Sequence, residues 1–416
     1  MDNYIFMTSY YLPKPGATGM CVHQVAKELA KTDNVFTICY RDIGEDKKFE
    51  VDGIKVIKIE IPDYLKNIDI GNKRLEKIRY FQSILKKLFY IYKYPLRSNS
   101  LVDNYCSVVS QIIKKVGKAT IIASYTPLEA VFAAYKLKKI YKGKIKIVYY
   151  STDTLSNEQG NNGLLPVSFR EKCGMRWEKK LFSLYDKIFI MECHKNYYFS
   201  KKYDMFRKKM EVVNFPLLSK FDKIEKEKKA FKKISFVYVG TFYKILRNPE
   251  FMCKCLIQFG KEREIKVDIL GGGDCNDILK KAVEKSNNSI VFHGMQPHEK
   301  AVEFISSADV LLSVGNAESP MAPSKIYEYM STGKPIIHIY TYDKDPCITP
   351  LEKYGNALII KEGDIESVDK IKIFLRNYKI LNYEEIEKIF LTSTPKYTVN
   401  ILKKINDREN TVIYSE

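Results

Sequence analysis

Between residues 318 and 340 the chain reads ESPMAPSKIYEYMSTGKPIIHIY, bringing a hydroxyl, a cation and a carboxylate together in Ser324, Lys325 and Glu328. Pro323 and Ser324 supply a turn and a predicted helix N-cap; Ile326, Tyr327 and Met330 share one helical face, and Gly333 ends the helix. A helix start with free N–H groups, a hydroxyl and Lys325 suits an anion, above all a phosphate. An ordinary capped helix explains the same letters. Asp153, in YYSTDT, ends a strand pattern, where its carboxylate orients an acceptor hydroxyl, accepts its proton, or caps the next turn. His23, His194, His293 and His298 read as structural, and Asp343-Lys-Asp345, a D-x-D, reads as loop. Neither GATG (16–19) nor GGGD (271–274) is a dinucleotide-binding G-x-G-x-x-G, and the absence of G-x-x-x-x-G-K-[ST] argues against an ATPase.

These residues are placed by a regular alternation. YIFM (4–7), the loop LPKPGATG (12–19), the helix pattern CVHQVAKELAK (21–31) and NVFTICY (34–40) make a strand–helix–strand unit, which predicts a parallel sheet. Strand patterns recur at 53–59, 119–125, 144–151 and 187–193, with helix patterns at 127–141 and 169–185. From ISFVYVG (234–240) the alternation restarts, with strands at 266–272, 289–294, 309–314 and 334–340. A charge-rich stretch, about 215–232, reads as a linker, and the tail reads as helical with a break at Pro395. The expected fold class is α/β: two tandem doubly wound Rossmann-like domains facing a cleft, with ligands beyond the carboxyl ends of the strands. We expect a domain at 1–213, a second at 214–394, and a final helix, about 395–416, packed back on the first.

A chain of 416 residues exceeds one ordinary core. No run approaches the roughly 20 apolar residues of a membrane span, and no basic leader precedes the first apolar stretch, so the expected location is cytoplasmic. Nine scattered cysteines predict free thiols, and Cys253-Lys-Cys255 lacks partner ligands for zinc. The net charge of +19 is uneven: +17 in residues 1–210, of which +13 falls in 51–150, against +2 in 211–416. Residues 72–97 hold eight basic side chains and one acidic, with Phe, Tyr, Leu and Ile interleaved at helical spacing. Such a segment lies on an anionic bilayer, or packs on its own domain with its lysines in water.

Four motifs occur in a familiar order: VYVGTFYKILRNP (237–249), DILGGGD (268–274), VFHGMQPHEKAVEFISSADVLLSV (291–314) and PSKIYEYMSTGKPII (323–337). Together they resemble the donor-binding domain of retaining, GT-B-fold glycosyltransferases, most closely family four, of the bacterial surface-polysaccharide type. LPKPGATGMCVHQVAKELAK is similar to that family's glycine loop and first helix, and EVVNFPLL (211–218) to the segment joining its domains.

The resemblance implies a nucleotide-diphosphate sugar of UDP or GDP type as donor, no cofactor and no obligatory metal. Catalysis is then the stabilisation of charge on a leaving diphosphate by fixed donors. The expected donor-binding residues are Gly19, Gly240, Thr241, Arg247, His293, Met295, Ser324, Lys325 and Glu328. Glu328 matches the second glutamate of the family's E-x7-E and would bond the ribose hydroxyls. Arg247, shifted by one residue, would meet the pyrophosphate. Thr241 stands where a second basic residue is usual, with Lys325 as replacement, and Pro320 stands where the first glutamate belongs. Glu318 and Asn316 lie close enough in sequence to reach the sugar, and Asp153 and Glu318 are the catalytic candidates. The implied activity is a hexosyl transfer with retention to a glycan or lipid-linked acceptor in capsule or lipopolysaccharide synthesis. The +13 confined to 51–150 leads us to expect peripheral attachment to the inner face of the cytoplasmic membrane through about 72–97, and no nucleic-acid partner is expected. A nucleotide-sugar epimerase of the same fold and an inactive glycosyltransferase-like partner subunit are the alternatives.

Overall fold

The computed structural model describes residues 1–42, 44–62, 95–96, 98–152, 154–155, 166–221, 233–317 and 323–407. They fold as two compact units, Met1–Asn214 joined by the chain from Thr398 onward, and Phe215–Tyr397.

The first unit is built on an eight-stranded sheet of order β3-β4-β2-β1-β5-β6-β7-β8. Its strands are β1 (Asn3–Met7), β2 (Asn34–Arg41), β3 (Lys48–Val51), β4 (Ile54–Glu60), β5 (Ala119–Ser124), β6 (Ile145–Ser151), β7 (Lys187–Ile190) and β8 (Met210–Val212). All neighbours are parallel except β3, which turns back on β4. The turn is Asp52-Gly53, with φ of 51° and 74°, the two-residue type that matches strand twist. Sequence reading placed a strand at 53–59 and missed β3, although Asp-Gly marked the hairpin. Central β5 is buried along its whole length, as a parallel strand covered on both faces must be. Each such Ile contributes about 1.5–3 kcal/mol. The predicted strand 187–193 stops at Ile190, and Glu192–His194 forms a 3-10 turn.

The second unit holds six parallel strands in the order β11-β10-β9-β12-β13-β14. They are β9 (Ile234–Val239), β10 (Ile265–Leu270), β11 (Ile290–Gly294), β12 (Val310–Val314), β13 (Ile336–Tyr340) and β14 (Ala357–Lys361). From β9 the chain winds outward to β11, then crosses back to lay β12 on the other side of β9. The strand order therefore reverses between β9 and β12, and such a switch point is where parallel sheets receive ligands. Part of the expected linker is no linker: Phe215, Leu217 and Leu218 are buried, and the Leu218 N–H donates to the Ser393 carbonyl at 3.0 Å. Residues 222–232 of that stretch lie outside the described residues.

From Thr398 the helix Pro395–Asp407 belongs to the first unit. Its Asn406 side chain accepts from the Thr120 hydroxyl at 3.0 Å and donates to Asp2 at 2.7 Å, while Lys146 donates to the Ile405 carbonyl at 2.8 Å.

One buried carboxylate of the first unit is held by tyrosines. Glu178 is fully buried; it accepts from the hydroxyls of Tyr197 (3.0 Å), Tyr198 (3.1 Å) and Tyr203, and from the Leu155 N–H at 2.9 Å. Burial raises its pKa, the hydroxyls opposing. His194 is different. Burial alone pushes it down to about 4. Its folded pKa lies below the unfolded value of about 6.5, so the native state stays neutral while the unfolded chain takes a proton. The stability this contributes is intact above pH 6.5 and is lost as pH falls from 6.5 toward 4. The loss reaches about 3 kcal/mol, at 1.36 kcal/mol per unit. Urea denaturation across that window should show His194→Gln less acid-sensitive than the parent; parallel pH profiles would contradict the assignment.

Candidate functional site

Two loops at the carboxyl ends of β9 and β10 are zipped together by backbone. The Gly240 N–H donates to the Leu270 carbonyl at 2.9 Å and the Phe242 N–H to the Gly272 carbonyl at 2.9 Å. Glycine is required here by space. A Cβ on Gly271 would stand 1.7 Å from the Gly240 carbonyl oxygen, and one on Gly273, whose φ is +115°, 1.8 Å from that of Phe242. Gly240 itself lies over the Tyr238 hydroxyl, 3.0 Å from where its Cβ would be. Tyr238 and Phe242 stack at 4.1 Å beneath the turn.

The loop after Phe242 closes on paired hydrogen bonds between Tyr243 and Arg247 (3.1 and 2.8 Å), leaving Ile245 in solvent. That closure aims the half-buried Arg247 at the loop after β12. Its Nε and Nη2 both donate to Asn316 Oδ1, at 3.0 and 2.7 Å, and Nη1 donates to the Thr241 carbonyl at 3.3 Å. Thr241 thus serves Arg247 through its backbone. Arg247 also bonds the Tyr238 hydroxyl; burial raises that tyrosine's pKa and the guanidinium partly offsets the rise.

The helix Lys325–Met330 reaches the end of β9 through Tyr329. Ser324 does not cap it: the residue is in the right-handed helical region (φ −60°, ψ −20°) and its hydroxyl makes no capping bond. The expected N-cap is corrected accordingly, because a capping side chain needs an extended backbone to reach back. Lys325 Nζ lies 2.5 Å from Glu328 Oε2, and His298 Nε2 lies 3.9 Å from Glu328 Oε1. Burial lowers the His298 pKa, Glu328 pulling it up and Lys325 down. From the same helix the Tyr329 hydroxyl accepts from the Val239 N–H at 2.7 Å, fixing the end of β9. Burial raises the pKa of that hydroxyl, the Val239 N–H opposing; the Glu328 charge adds to the rise and that of Arg247 offsets it.

Other expected site residues are occupied otherwise. His293 Nε2 lies 2.7 Å from Asp268 Oδ1, and the other oxygen of Asp268 pairs with Lys266 at 2.9 Å. That imidazole ties β11 to β10. Met295 is exposed and lies over Gly272. In the first unit, Gly19 is a glycine because its Cβ would stand 2.0 Å from the Tyr10 carbonyl oxygen. His23, read as structural, is hydrogen-bonded to the Tyr11 hydroxyl at 2.8 Å and lies 3.2 Å from Asp52. Asp153, Glu318 and Pro320 lie outside the described residues, as do residues 72–94 and Arg97 of the basic stretch. Sequence reading passed over Tyr238, Tyr329 and Asp268, and weighed Asn316 for the sugar, where the structure gives its oxygen to Arg247.

Residues 233–376 match the family model described as "Glycosyl transferases group 1". The chain carries a group 1 glycosyltransferase domain. It is 23% identical over 419 residues to an uncharacterized glycosyltransferase of Methanocaldococcus jannaschii, across 97% of this chain and 98% of that protein. Its fold is similar to a sucrose-phosphate synthase from Thermosynechococcus elongatus, with a TM-score of 0.65, 12% identity, and coverage of 99% of this chain and 100% of that one. It is also similar to the Anabaena protein HepE in complex with UDP-glucose, at 0.55 and 12%, over 100% of both chains. The transferase therefore has the GT-B fold, and among its described residues no helix is long and apolar enough to cross a membrane.

The glycine geometry makes a graded prediction for this transferase. Gly271→Ala should cost more than about 3 kcal/mol in urea denaturation or displace the loop, since backbone oxygen has nowhere to go. Gly272→Ala should cost under about 1 kcal/mol, because its Cβ meets only the flexible Met295 side chain at 3.1 Å. Equal costs would show that the two loops are not held as described.

Proposed function

We propose that the protein transfers a hexose, with retention, from a nucleotide-diphosphate sugar of UDP or GDP type to a glycan or lipid-linked acceptor in cell-surface polysaccharide synthesis. The observation that carries this is the Arg247 guanidinium, held by Asn316 at the sheet's switch point, with the Lys325–Glu328 pair on the helix whose Tyr329 holds the end of β9. In this reading Arg247 and Lys325 meet the diphosphate, and Gly240 and Thr241 let it approach the backbone. Glu328, released from Lys325, accepts from the ribose hydroxyls. Gly19, His293, Met295 and Ser324 line the donor by position, while Asp153 and Glu318 serve the reacting sugar. No obligatory metal takes part, since guanidinium and ammonium carry the developing charge. HepE has been crystallised with UDP and with UDP-glucose, which favours uridine.

A thermal-shift series with nucleoside diphosphates and their sugars tests the donor, because a ligand that binds only the folded state raises its melting temperature. UDP or GDP should stabilise the parent. Arg247→Ala and Glu328→Ala should each reduce the shift to that of buffer; undiminished shifts in both would discard the site. Pro320, in place of the family's first glutamate, favours as a second reading an inactive partner subunit, and measurable donor hydrolysis would speak against it. A nucleotide-sugar epimerase would convert the donor without any acceptor.

The first unit, in the same proposal, rests on the anionic inner face of the cytoplasmic membrane through residues 72–97. The support is the +13 confined to 51–150. Sedimentation with vesicles should rise with anionic lipid and fall with salt; identical pelleting on neutral vesicles would end the idea.

A further inference from the structure

Behind the loop that carries Asn316, three buried side chains of metal-ligand type meet. His338 comes from β13, and Asp345 and Cys347 from the loop that follows it; the ring nitrogen, carboxylate oxygen and sulfur all lie within 4.8 Å of one another. All three residues are buried, His338 and Cys347 completely and Asp345 to 4%.

The hydrogen bonds around them leave one atom open on each of two ligands. His338 Nδ1 is 3.0 Å from the Ser313 hydroxyl, on the register partner of His338 in β12. Asp345 Oδ1 accepts from the Cys347 N–H at 2.7 Å. His338 Nε2 and Asp345 Oδ2 then face each other 3.4 Å apart, and neither has a hydrogen-bond partner among the described residues. Gly315 makes the room, since a Cβ there would stand 1.8 Å from Asp345 Oδ2.

We propose that His338, Asp345 and Cys347 bind a structural divalent cation of zinc type. Two N or O ligands about 2.0 Å from a tetrahedral zinc stand roughly 3.3 Å apart, which the His338–Asp345 separation matches. A metal-bound imidazole donates its other N–H to a neighbouring acceptor, the part Ser313 plays here. Charge also balances. An aspartate buried without a counter-ion is costly, whereas a dication with one carboxylate, one thiolate and a neutral imidazole is neutral overall. On binding, the Cys347 thiol loses its proton to solvent and a sulfur–metal bond forms, with the metal's fourth position left to water. The cation would brace Gly315 and hence Asn316 from behind. It is distinct from any metal in sugar transfer and does not depend on the donor assignment. Asp343, the other half of the D-x-D, is exposed and pairs with Lys361 at 2.7 Å.

The test uses the full chain. Stripped with chelator and titrated with cobalt(II), it should show thiolate-to-cobalt charge-transfer absorption at one equivalent. Cys347→Ser should lose the band, and His338→Gln should weaken cobalt binding at least tenfold; circular dichroism reports whether each variant folds. Zinc added to the stripped parent should raise its melting temperature. A parent without the band, or a band that persists in Cys347→Ser, would overturn the proposal and leave His338–Asp345 a buried pair only.

Discussion

A single amide oxygen joins the two strands between which the second sheet reverses direction. Asn316, two residues past β12, holds Arg247, eight residues past β9, by two nitrogens of one guanidinium. Both residues sit on short loops, which are mobile unless something else fixes them. Here the backbone pairing of Tyr243 with Arg247 fixes one, and the Ala317 N–H, donating to the Leu246 carbonyl at 2.7 Å, ties it to the other. The guanidinium is therefore oriented before any ligand arrives. Preorganised charge of this kind stabilises a leaving diphosphate at little reorganisation cost. Had Asn316 been a carboxylate, it would have neutralised the arginine; an amide orients the cation and leaves its charge available.

In the proposed reading the neighbouring pair would work by exchange. Lys325 and Glu328 are adjacent on one helical turn and largely shielded, with side-chain exposures of 27% and 11%. An ion pair in such a setting is close to balanced between attraction and lost hydration. A ligand bringing its own anion for Lys325 and its own hydroxyls for Glu328 replaces both halves at once, so little is lost in opening the pair. His298, kept neutral by burial, does not compete for Glu328 as a second cation would.

How much of this was legible follows from what a linear sequence encodes. Buried parallel strands are runs of Ile, Val and Leu, and those of the second sheet through β13 were read to within a residue or two. β14, whose Ala357, Leu358 and Ile359 are only half-buried, gave a weaker signal and was missed. Gly271 and Gly273 stood out as glycines, but their reason, a carbonyl from a loop some thirty residues away, is a fact of tertiary packing. The same holds for Arg247 with Asn316, separated by 69 residues. His293 is a similar case: the motif does not show that its ring bonds Asp268 on the adjoining strand. Ser324 was read as a cap from its type alone, and its backbone angles decide otherwise.

The first unit explains the tyrosine-rich composition in similar terms. A phenol buries a large apolar ring and still carries a hydroxyl that reaches a distant polar group. Tyr105 donates to the Thr8 carbonyl at 2.6 Å, just past the end of β1, and Tyr185 to the Val131 carbonyl at 2.8 Å. Tyr197, Tyr198 and Tyr203 converge on Glu178, which in turn receives the Leu155 N–H from the segment after β6. A carboxylate alone in that core would take up a proton or open the fold; three phenols make it an anchor. The anchored segment follows the carboxyl end of a parallel strand, where a ligand-binding loop is expected. Tyrosine in this unit thus links the core to the loops at the carboxyl ends of its strands, whereas in the second unit glycine and an arginine fix the corresponding loops.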